Sequence, residues 1–137
     1  MTGETDLDRL LASMSPELRP GVYVFATLGP DTAPPDGIEP VMVFREGEGT
    51  TLILPLEAAE GAGIAGVFPC RMITLRIHSS LEAVGFMARI TTRLAGAQIG
   101  VNPVSAFFHD HLFVPEDRAE EAVALLRELS RESGARR

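Results

Sequence analysis

From residue 72 onward the sequence switches between two hydrophobic periods in a fixed order, and that order narrows the folds open to the chain. Residues 72–78 form an apolar, β-rich run, and Leu81, Val84, Met87, Ala88 and Leu94 then recur at helical spacing. Residues 99–106 and 107–114 return to strand-like composition, and Ala119, Ala122, Val123, Leu126 and Leu129 repeat again at three and four. The order is strand, helix, strand, strand, helix. A ferredoxin-like unit runs β-α-β-β-α-β, so this half is one strand short. A strand from the N-terminal half, or from a second subunit, must complete its sheet.

Local signals refine these elements. Ser79-Ser80-Leu81-Glu82 matches a capping box and predicts a helix starting at Ser79, with Gly96 marking its end; Pro115 opens the last helix. In the N-terminal half, Leu7, Leu10, Leu11 and Met14 form a helical stripe closed by Pro16, Pro20 and Gly21, and a strand is expected over residues 21–28. Residues 29–40 contain four prolines and two glycines, a composition that reads as a mobile loop. Strands over 41–46 and 50–54 flank Gly47-Glu48-Gly49 as a hairpin, and residues 57–64 read as a weak helix. Gly61 and Gly63 each cost that helix about 1 kcal/mol relative to alanine.

At 137 residues, with 45% hydrophobic and 23% charged side chains, the chain can bury a core without disulfides or a structural metal. Its net charge of −7 repels phosphate backbones and anionic headgroups, so neither nucleic acid nor membrane is an expected partner. Arg131, Arg136 and Arg137 read as a solvated helix end. The acidic start (Glu4, Asp6, Asp8) is unlike a secretory signal, no apolar run reaches the ~20 residues of a membrane span, and the single Cys70 suits a reducing cytoplasm. Cys70 precedes an apolar strand and reads as a buried small hydrophobe.

Four blocks carry a resemblance to a known family: residues 21–25 (GVYVF); Phe44-Arg45-Glu46 with Gly49 and residues 51–54 (TLIL); residues 78–85 (HSSLEAVG); and residues 108–115 (FHDHLFVP). On these residues the chain resembles small bacterial tandem ACT-domain proteins of unassigned function. The resemblance implies an α+β fold of two ACT-like (ferredoxin-like) halves, residues 1–66 and 67–137, each an antiparallel sheet covered by helices on one face. It further implies a non-catalytic regulatory module binding an amino acid or related metabolite at a domain interface, as a homodimer and without a cofactor. Gly85 matches the glycine of the Pro-Gly pair that ACT domains carry between first strand and first helix, and Val84 stands where the proline would be.

The expected ligand site is the turn into the Ser79 helix, because a helix N-terminus offers unpaired amides to a carboxylate. Its residues are Arg76, His78, Ser79, Ser80, Leu81, Ala83, Val84 and Gly85, with Asn102 on the following strand facing the ligand's ammonium group. Glu82, at the same positive end, competes for it. An alternative reading places His78, His109 and His111 on one sheet face as a zinc-binding or metal-enzyme cluster, with Asp110 turned to the opposite face. A further alternative is a protein-interaction module acting through open strand edges. No catalytic residues are expected: Ser79 or Ser80 with His111 and Asp110 lacks a nucleophile elbow, and Asp110 and His111 point apart on a strand.

Overall fold

The computed structural model describes residues 6–77 and 81–135. It contains α1 (Leu7–Ser13), β1 (Pro16–Leu18), β2 (Tyr23–Leu28), β3 (Met42–Arg45), β4 (Thr50–Pro55), α2 (Leu56–Gly61), β5 (Val67–Leu75), α3 (Phe86–Gly96), β6 (Asn102–Ser105), β7 (Asp110–Pro115), a 3-10 turn (Glu116–Arg118) and α4 (Ala119–Ala135). Two compact units arise: residues 21–70 form one, and residues 1–20 with 71–137 form the other. The unit boundary falls inside β5. The spatial units therefore differ from the linear halves 1–66 and 67–137, because α1 and β1 join the C-terminal unit.

In the unit of residues 21–70, the strands lie in the order β3, β4, β2, β5. β2 and β4 pair antiparallel from Tyr23↔Pro55 to Leu28↔Thr50, and β3 pairs with β4 from Met42↔Ile53 to Arg45↔Thr50. Glu46 N donates to Gly49 O at 2.9 Å, which closes the expected hairpin. The core joins Val24, Ala26, Leu52, Leu54 and Ala59. Residues 29–40 occupy the place in the chain where β-α-β-β-α-β would have its first helix. Four prolines deny that segment a helical ladder, yet Ile38 still packs against the core. α2 is shorter than the weak helix expected, since Gly63 turns left-handed (φ 68°) and the amides of Ala62, Gly63 and Ile64 bond back to the last turn.

In the other unit, β5 lies between β1 and β7, with β6 beyond β7. β1 pairs antiparallel with β5 (Pro16↔Leu75, Glu17↔Thr74, Leu18↔Ile73), so the N-terminal segment supplies the strand that residues 71–137 lack. A proline at the start of this three-residue strand is tolerated because the strand forms an edge. Asp6 caps α1 by accepting from Arg9 N at 3.0 Å. Leu10 and Leu11 then join Ile73, Leu75, Leu112 and Val114 from the sheet and Ile90, Leu94, Leu126 and Leu129 from α3 and α4 in one buried cluster. The α4 stripe Ala119, Ala122, Val123, Leu126 and Leu129 is buried as its spacing requires.

Three strands and one long helix also depart from the sequence expectations. β5 begins at Val67 rather than residue 72, with a bulge at Phe68 (φ 59°) where it pairs with β2, and it ends at Leu75. The hairpin strands of the C-terminal unit are shorter than 99–106 and 107–114, because Phe107 and Phe108 lie in the turn, edge-on with ring centroids 5.0 Å apart. α3 starts at Phe86, not at Ser79. Leu81 and Glu82 lie in a turn, and Gly85 is the N-cap in the left-handed region (φ 89°), which interrupts a continuous helix through residues 79–96. The stripe of Leu81, Val84, Met87, Ala88 and Leu94 accordingly does not form: Leu81 and Val84 are 65% and 85% exposed, and Phe86, Ile90 and Leu94 are the buried positions of α3.

Candidate functional site

The chain leaves β5 with Arg76, whose amide donates to Ser15 O at 2.9 Å and whose Nε meets Glu17 Oε1 at 2.5 Å. Both side chains are about half exposed, with 47% and 45% of their surface open, so solvent screens the pair. Arg76 nevertheless holds the Glu17 carboxyl below the ordinary carboxylate range. Nothing in the Pro-Glu-Leu tripeptide announces a strand, and Glu17 became visible as a partner of Arg76 only through the β1–β5 register. The expected ligand residues His78, Ser79 and Ser80 lie outside the described residues. Beyond them, Ala83 packs against the buried cluster and Leu81 and Val84 face solvent.

Gly85 then ends the turn. Its left-handed backbone starts α3, its carbonyl accepts from Arg89 N at 3.0 Å, and as N-cap it makes no side-chain hydrogen bond to the helix. The helix N-terminus therefore falls at Gly85 and Phe86. Glu82 lies in the turn before α3 and not in the first turn of the helix. Asn102 is not brought to this turn. It pairs with Phe113 at the far end of β6 from Ser105, and β7 separates it from β5.

The sheet face away from the helices carries His109 and His111. Thr74 Oγ1 and His111 Nδ1 are 3.0 Å apart, and His109 Nδ1 lies 3.3 Å from Ile77 O. The two imidazole centroids are 6.4 Å apart, edge to face. Asp110 points to the helical side as strand alternation requires, is buried, and accepts from Ser105 Oγ at 2.6 Å. Among the described residues no group of three or more His, Cys, Asp or Glu is arranged around a metal position. Cys70 is buried with its Sγ 3.3 Å from Tyr23 O, and burial pushes its thiol up to about 11, which suits a packing role.

His111 gives the unit a pH dependence. Burial lowers its imidazole below the ordinary 6.5; His109, Arg19 and Arg76 push the same way and Asp110 opposes them. The unfolded chain therefore takes up this proton first, so His111's contribution is fully present above about pH 6.5 and is lost as pH falls through the lower folded value. In urea titrations the wild-type midpoint should fall between about pH 7.5 and about pH 5.5, and His111→Gln should flatten that slope. Equal slopes in both proteins would remove His111 as the cause.

Antiparallel strands with helices packed on one face, a strand order of the β-α-β-β-α-β type and an uncapped helix following the first strand define a ferredoxin-type α+β protein. The ACT-domain family matches the chain twice, over residues 2–71 and residues 67–128. The chain belongs to the ACT-domain family and carries two such domains in tandem, and this membership supports a regulatory, small-molecule-binding role. A Vibrio cholerae protein of unknown function, described as a possible transport protein, is 43% identical, with 90% of this chain and 95% of that one covered at a TM-score of 0.81. A protein from Agrobacterium tumefaciens is 21% identical over 85% of this chain and 89% of that one, with a TM-score of 0.72. The regulatory subunit of aspartate kinase from Thermus flavus shares the fold at 13% identity, 84% and 96% coverage and a TM-score of 0.62. No curated protein matches the sequence. Among the described residues, no helix is long and apolar enough to cross a membrane.

Proposed function

We propose that the protein is a non-catalytic, cytoplasmic sensing module that binds an amino acid at the turn from Arg76 to Gly85. The observation that carries this reading is the N-terminus of α3, where the left-handed N-cap Gly85 supplies no side chain of its own to occupy the first-turn amides. A ligand carboxylate fits those donors, and its charge is favoured by the helix dipole. Arg76, on the same turn, supplies a guanidinium already held in place by Glu17. His78, Ser79, Ser80, Leu81, Ala83 and Val84 complete the proposed pocket. The exposed Leu81 and Val84 are the side chains that a second copy of the chain would cover in a homodimer.

Thermal-shift measurements against each of the twenty amino acids at about 10 mM test this reading. A ligand present at tenfold its Kd should raise Tm by about 2–5 °C, and Arg76→Gln should lose most of that shift. Light scattering should report a dimer in the presence of the responding ligand. Twenty flat traces would overturn the amino-acid assignment.

A further inference from the structure

We propose that the groove between α3 and α4 is a second ligand site, one that takes a small monocarboxylate with an apolar body. The groove encloses about 440 Å³, within the size range of small-molecule sites. α3 presents Arg89 and Arg93 one turn apart along one wall, with Thr92 beside them, and α4 presents Leu125 and Leu129 along the other. At Gly96, where α3 ends, a Cβ would meet nothing within 4 Å, so that end of the wall is open.

The charges decide the ligand class. Arg93 Nη2 is paired with Glu132 Oε1 at 2.5 Å. Arg118, next to the groove, is paired with Glu121 at 2.8 Å and also donates to Ala97 O at 3.0 Å. Each of these guanidiniums thus meets a carboxylate from α4. Arg89 meets none among the described residues, and it is only partly exposed. One uncompensated guanidinium over a leucine floor matches one negative charge attached to a hydrocarbon body. A dianion would leave one charge facing the leucines, and an uncharged apolar molecule would leave Arg89 unused. The protein's overall charge of −7 adds to the selection against multiply charged anions.

The full chain titrated with 4-methylpentanoate, followed by ¹H–¹⁵N NMR at constant pH and ionic strength, tests the proposal. Saturable shifts should centre on the amides of residues 89–97 and 125–129. Acetate and 4-methylpentan-1-ol should each bind about tenfold more weakly, the first lacking the apolar body and the second the charge. Arg89→Gln should weaken binding about tenfold, whereas Arg127→Gln, which removes the same charge from an exposed position outside the groove, should leave it unchanged. Non-saturating shifts, equal binding of either comparison compound, or an unaltered Arg89→Gln titration would overturn it. Shifts centred on Gly85 and Phe86 would also overturn it, while agreeing with a carboxylate site at the start of α3; the two proposals therefore fail separately.

Discussion

A chain that begins at residue 21 should fail to fold its C-terminal unit. Residues 1–20 contribute Leu10 and Leu11, both fully buried, and Met14, 4% exposed, to the cluster that also holds the sheet and helix residues of that unit. They also contribute β1, which covers the edge of β5 from Ile73 to Leu75. A bond from Ser130 Oγ to Ala12 O at 3.0 Å ties α4 to α1. Trimming one buried leucine to alanine costs about 2–5 kcal/mol, and a whole domain is stable by about 5–15 kcal/mol. Loss of three large apolar side chains and a strand together therefore removes most or all of the unit's stability. The methyl resonances of Leu112 and Val114 should lose their dispersion in the truncated chain. Leu11→Ala in the full-length protein should lower the unfolding free energy by about 3 kcal/mol. Native-like Leu112 and Val114 shifts in the truncated chain would show that β1 and α1 are dispensable additions.

Gly49→Ala is expected to destabilise the unit of residues 21–70 by about 1–3 kcal/mol, while Gly47→Ala, two positions away in the same turn, changes it by less than about 0.5 kcal/mol. A Cβ on Gly49 would stand 2.4 Å from Leu28 O and 2.8 Å from Thr27 Oγ1, whereas one on Gly47 meets nothing within 4 Å. Neither glycine has a positive φ, so strain in the backbone does not separate the two variants. The closest obstacle is a backbone carbonyl at the end of the β2–β4 ladder, where Leu28 pairs with Thr50, and it cannot rotate aside as a side chain would. Urea unfolding of the two variants compares them directly. Equal midpoints would mean that the hairpin shifts to accept the methyl group without loss.

The β-α-β-β-α order of the second half and the buried stripe of α4 were legible in the sequence because both rest on periodic burial, which local spacing reports. The missing strand was legible only as a need, and the structure met it with Pro16–Leu18, a segment too short to carry a pattern of its own. The start of α3 differs from the sequence expectation for a related reason. The Ser79-to-Glu82 spacing satisfies a capping box and Leu81 and Val84 continue the stripe, but these signals cannot weigh a left-handed Gly85 that ends the turn six residues later. Strand alternation correctly set Asp110 and His111 on opposite faces. It could not say which side chain each would meet, because Thr74, Glu17 and Ile77 reach their partners across registers that no local pattern encodes.

The amino-acid sequence by itself determined the order of the longer helices and strands, the ferredoxin-like class to which that order belongs, and the need for one strand from elsewhere; these follow from hydrophobic period and from proline and glycine placement. Tertiary structure alone decided that the N-terminal segment is that strand, that α3 opens on a left-handed glycine, and that Arg89, among the described residues, meets no carboxylate beside the α3–α4 groove. The strand and the surroundings of Arg89 depend on residues distant in the chain, selected by packing and register after the local elements exist, and the helix start depends on how the chain leaves β5 to reach the core.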